Sequence, residues 1–210
     1  RVVSDLGSAS ISIYAIVVAI VLGATSLYRE LELKTIFPIL ARPIRRGEYL
    51  VGKYLGTVLT LLVFIAANTG ALLLALAQLS GKSLLLCGGL GLGSVLAALA
   101  LAWRLPRWRT LLPIPWALAL CVIGWFLSSG AFDDRRVVVG LAVLTLCEVS
   151  VVAAIATVFA SFSSPFLTAV FTFSLFVVGR SADTLAHLPA RVFGETIKRI
   201  GELLSVVLPN

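Results

Sequence analysis

Few side chains in this sequence carry chemistry, and where they stand decides what that chemistry can be. Glu148 is the one charged residue between positions 137 and 179. An ionised carboxylate in such an apolar run is costly, so it faces protein or water and often serves function. Three roles fit it: a polar contact on a substrate path, a proton-linked group, or a hydrogen-bond hub between helices, where the acid can also be neutral. The structural hub weighs most of the three. Asp133-Asp134 stand directly before Arg135-Arg136. Mutual neutralisation in an outer loop is the plainer reading of these four, and a metal pair the rarer one. His187 is the only histidine and falls outside the apolar runs, so a His-based metal enzyme or an intramembrane protease lacks partners for it. Cys87, Cys121 and Cys147 are odd in number, have no metal-ligand spacing and read as small packing residues. Ser80-Gly81-Lys82-Ser83 imitates the end of a phosphate-binding loop. The Gly that such a loop needs five positions before its second Gly is Leu76, which rules the motif out. Gly88, Gly89, Gly91 and Gly93 follow no strand, and Gly89 and Gly93 form a small-xxx-small pair suited to close helix packing.

The elements that must hold these residues follow from the distribution of charge. The chain has 210 residues, of which 60% are apolar and 13% charged, and a mean hydropathy of +1.06. A soluble domain is about a quarter charged. The charges are also bunched: 6–28, 54–81, 83–103 and 110–132 contain no Asp, Glu, Lys or Arg. A helix rising about 1.5 Å per residue needs roughly 20 apolar residues to cross a core of about 30 Å. Each gap meets that length, and 137–179 is long enough for two crossings. Barrel strands would alternate apolar and polar residues, and runs such as LLVFIAANTGALLLALA do not. The fold class is therefore an all-α, multi-pass integral membrane protein. Six spans are expected, at about 9–28, 54–79, 84–103, 111–129, 137–160 and 164–180, in a single transmembrane domain over 1–210.

The connections alternate sides of the bilayer. Residues 29–53 and 104–109 hold nine Lys/Arg and are placed in the cytoplasm by the positive-inside rule. Eight lie on the other side, but four of those fall in the long final segment 180–210, where the rule is weaker. The net charge of +7 belongs to such loops, and no nucleic-acid partner is expected. Pro113 and Pro115 open the fourth span after a Trp/Arg cluster, and Ser161–Pro165 makes a tight turn whose serines can cap the amides of the helix that follows. Phe193, Ile197, Ile200, Leu204 and Val207 mark one face of an amphipathic helix over 188–208, lying flat on the outer surface.

The most patterned polar segment is 29–56, RELELKTIFPILARPIRRGEYLVGKYLG. Its charges, its stripe of Ile36, Phe37, Ile39 and Leu40, and its breaks at Pro38 and Pro43 suit a short cytoplasmic helix. Such a helix either docks a partner or rests on lipid headgroups. The run resembles the first cytoplasmic loop of permeases of the type-2 exporter class of ATP-binding cassette (ABC) transporters. Glu30, Glu32, Thr35-Ile36, Leu40, Pro43-Ile44, Arg46 and Gly52-Lys53 match that loop, with Lys34 in place of its usual Gly. The stretch from Glu148 through FASFSSPFLTAVFTFSLFVVGRSADTL is similar to the subset linked to multicopper-enzyme maturation and related exports.

The resemblance implies a non-catalytic permease of a bacterial inner membrane, working as a dimer with two copies of an ATPase subunit that holds the ATP and Mg; this chain would need no cofactor of its own. It implies a coupling helix contacting the ATPase through Glu30, Glu32, Lys34, Thr35, Ile36, Phe37, Leu40, Pro43, Arg45 and Arg46. It also implies a further span before Arg1 and another after Asn210, so that the chain is truncated at both ends, and it leaves 84–129 as an extra hairpin. A membrane-embedded enzyme and a secondary carrier are the alternatives.

Overall fold

A computed structural model describes residues 2–32 and 46–186, with side chains over 2–26, 47–107 and 109–181. Every long element among them is an α-helix: α1 Val2–Glu32, α2 Arg46–Leu79, α3 Leu84–Arg104, α4 Pro113–Leu127, α5 Phe132–Ala160 and α6 Pro165–Ala186. Five of the six are long and apolar enough to cross a bilayer, and α6 carries a shorter apolar stretch over Pro165–Ser181. The protein is thus an all-helical, multi-pass membrane protein. The expected helix at 188–208 lies outside the described residues.

The turns follow from local chemistry. Gly81 takes a left-handed backbone with φ of 92°, a conformation that costs Gly little. The Lys82 amide then returns to the Ala77 carbonyl at 3.2 Å and closes the end of α2. Ser83 caps α3 by accepting the Leu86 amide. A short 3-10 turn, Pro106–Trp108, joins α3 to α4, whose first turn holds Pro113. At the α5–α6 turn the serines act differently from the sequence expectation. Ser161 and Ser163 donate to the carbonyls of Val158 and Phe159, satisfying the end of α5 rather than the amides of α6.

Close helix approach is built from small residues, as expected where lipid tails are as apolar as any side chain. Ile11, Ala15, Ile16, Ala19 and Ile20 of α1 share a core with Leu61 and Ile65 of α2 and Val149, Val152 and Ala153 of α5. A Cβ on Gly23 would lie 2.4 Å from the Cβ of Ala156, so α1 and α5 touch there almost backbone to backbone. The same device joins α2 to α4, where a Cβ on Gly124 would stand 2.9 Å from the Gly70 carbonyl oxygen. Gly89 and Gly93, the pair expected to drive packing, meet nothing within 4 Å. Helix α3 is peripheral, with 6% of its span buried against 33% for α1 and α2.

Candidate functional site

Glu148 sits in the middle of α5, twelve residues before Ala160, and there the structure assembles a polar junction. Arg180 of α6 donates from Nη1 to Glu148 Oε1 at 2.8 Å, and Ser12 of α1 donates to Oε2 at 3.4 Å. Both oxygens are thereby engaged, and three helices meet at one carboxylate. The Tyr54 hydroxyl of α2 donates to the Ser150 carbonyl at 3.3 Å, two residues further along α5, so the fourth helix of the bundle ties in beside it. Side-chain exposure is 29% for Glu148 and 65% for Arg180. The pair therefore stands at the edge of the bundle, where an unpaired charge would be most costly in hydrocarbon. A guanidinium facing a carboxylate neutralises it and shares its hydrogen bonds.

The junction continues a line of hydroxyls. Ser4, Ser8 and Ser12 recur at four-residue steps and so share a face of α1; Ser4 and Ser8 are buried. Gly7 packs on Leu72 while Ser12 meets Glu148. That register sets Ser8, Thr69 of α2 and Thr145 of α5, all buried, within about one helical turn of a common level. Ser8 Oγ and Thr69 Oγ1 have no hydrogen-bond partner among the described residues. Buried hydroxyls of that kind are ready to bind water or a polar group.

The Asp133–Arg136 quartet is not an outer loop. It forms the first turns of α5, and Arg135 is nine-tenths buried. Its guanidinium lies 4.0 Å from the Trp125 ring and 4.9 Å from that of Phe132, and Nη1 donates to the Trp125 carbonyl at 3.0 Å. Adjacent helix positions do not face each other. Arg135 therefore turns inward to the aromatic pair, closing one end of the bundle instead of merely balancing its acidic neighbours.

Of the residues expected to meet an ATPase, Glu30 and Glu32 fall in the last turns of α1 and Arg46 opens α2. Lys34, Thr35, Ile36, Phe37, Leu40, Pro43 and Arg45 lie outside the described residues. A cavity of about 370 Å³ opens where α2 begins, between Leu50, Val51 and Tyr54 on one side and Ala154 and Val158 of α5 on the other. Of the cysteines, Cys87 is buried as a packing residue should be, whereas Cys147 is exposed.

Arg180 was missed in the sequence because it stands where a span ends and reads as a boundary charge. The signal lay in the hairpin: Glu148 is twelve residues before the end of α5 and Arg180 fifteen after the start of α6. In an antiparallel pair those positions lie at nearly the same depth.

Comparison of the chain with protein-family models, with curated proteins and with solved structures gives no match.

Proposed function

We propose that this protein is the membrane-spanning subunit of an ATP-driven exporter of the type-2 ABC class, in a bacterial inner membrane. In this reading it works as a dimer and is moved by two copies of an ATPase subunit that bind ATP and Mg. The observation that carries the reading is the 29–56 run, whose Glu-x-Glu, Thr-Ile, Pro-Ile, Arg and Gly-Lys elements occur in the order and spacing of such a coupling loop. Its setting supports the mechanics. Helix α1 continues through Glu32 and α2 starts at Arg46, so both acids and the arginine stand on rods whose far portions share one core. At about 1.5 Å per residue these rods are roughly 46 and 51 Å long, well beyond a core of about 30 Å. A push on the connection is then delivered by α1 to Ser12 and by α2 to Tyr54, the two residues that adjoin the Glu148 junction.

Purification of the intact protein from its native membrane tests this directly. An ATP-binding cassette subunit should co-purify, and Glu32→Lys or Arg46→Glu should lower its recovery several-fold while leaving the permease folded. Recovery of a stable chain with no nucleotide-binding partner, or full retention of the ATPase by both variants, sinks the proposal. The ion pair and the unpartnered hydroxyls favour a secondary carrier as the second reading. Transport that proceeds in vesicles without any ATPase would select it.

A further inference from the structure

The turn between α3 and α4 holds the least compensated charge among the described residues. Arg104, Arg107 and Arg109 fall within six residues, all exposed, beside Trp103, which is 91% exposed. None of the three arginines has an ion pair or hydrogen bond among the described residues. No Asp or Glu occurs between 49 and 132. The acids flanking this stretch are Glu48, in the first turn of α2 on the same face but in no ion pair with these arginines, and Asp133, which opens α5 beyond the far end of α4 and so on the opposite side of the membrane.

Helix α3 fixes the depth of this cluster. Its 21 residues rise about 31 Å, the thickness of the hydrocarbon core, so Trp103 and Arg104 emerge at the level of lipid phosphates. Because α3 is almost unburied by the rest of the chain, the turn is reached by lipid from the sides. A guanidinium offers a fork that matches phosphate oxygens, and an exposed Trp favours the headgroup layer.

We infer that the Trp103–Arg109 turn is a binding site for anionic lipid headgroups, and that the α3–α4 hairpin is held in the membrane by the charge of the leaflet it meets. Charge complementarity selects the occupant: three unpaired cations at phosphate depth attract a net negative headgroup more strongly than a zwitterionic one. The inference does not depend on an ATPase partner.

The test uses the whole protein reconstituted in phosphatidylcholine with and without phosphatidylglycerol, with bound lipid counted by native mass spectrometry. Wild type should retain phosphatidylglycerol in preference to phosphatidylcholine. Each of Arg104→Gln, Arg107→Gln and Arg109→Gln should lower that preference by about fivefold, and Lys82→Gln, on the opposite side, should leave it unchanged. Arg107 and Arg109 lie outside the long helices, so their variants test the site even if Arg104→Gln disturbs α3. An Arg→Lys triple variant should keep a preference for phosphatidylglycerol, since charge is retained. Unchanged preference in the three Gln variants overturns the inference. So does displacement of the lipid by soluble glycerol phosphate, which would mark a site for small anions instead of a membrane surface.

Discussion

Arg180 and Glu148 make the energetics of single residues unusually legible. Removing the cation leaves a carboxylate within the membrane-spanning bundle with Ser12 as its one remaining partner among the described residues, whereas removing both charges leaves amides that can still hydrogen-bond. Arg180→Gln should therefore lower thermal stability in detergent more than the Glu148→Gln/Arg180→Gln double variant. The coupling from the cycle should be about 0.5–3 kcal/mol. Strict additivity of the single variants would show that the two side chains do not interact. A carboxylate in a charge-free run announces itself, but its partner is concealed when it stands at a span's end. Arg135 misled in another way: adjacency in sequence suggested neutralisation by Asp133 and Asp134, while helical geometry turned the guanidinium onto Trp125. Whether a charge faces its neighbour or the core depends on an angle that composition does not contain.

Among the elements, the crossing of α2 and α4 is the tightest joint. A side chain at Gly70 would come within 2.8 Å of the Leu120 carbonyl carbon, which belongs to backbone and cannot swing aside. Gly70→Val should cost about 1–3 kcal/mol or more, measured as a fall in melting temperature of the purified protein. Gly140→Ala in α5 is the control: nothing lies within 4 Å of that position, and replacing a mid-helix glycine should gain about 0.5–1 kcal/mol. Equal effects from the two substitutions would contradict the packing described. Sequence pattern pointed to Gly89 and Gly93 because they obey a spacing rule. It passed over Gly70 and Gly124 because neither has another glycine four positions away. A spacing motif marks a smooth surface, and which surface finds a partner is settled by tertiary register.

For the whole molecule, the sequence was most informative, because the thickness of hydrocarbon sets the length of every charge-free run. With α2, α3, α4 and α5 each crossing once, the turns near 80–83 and 128–131 are expected on one side of the membrane and those near 105–112 and 161–164 on the other. In a background with Cys87, Cys121 and Cys147 replaced by Ala, a membrane-impermeant thiol reagent on intact cells should label Lys82→Cys and Ser129→Cys. Arg107→Cys and Phe162→Cys should react only after the membrane is opened. Labelling of one member of each pair would break the alternation and the topology with it. The polar connection between α1 and α2 was readable as a pattern of charges, an apolar stripe and prolines, which suits a partner surface and a lipid surface equally.

The α3–α4 hairpin joins the bundle chiefly through α4, at the Gly70–Gly124 joint, while α3 stands apart. Two crossings return the chain to the face from which it departed. Such a unit can be gained or lost in descent without turning anything downstream inside out, provided one smooth notch in α2 is available to receive it.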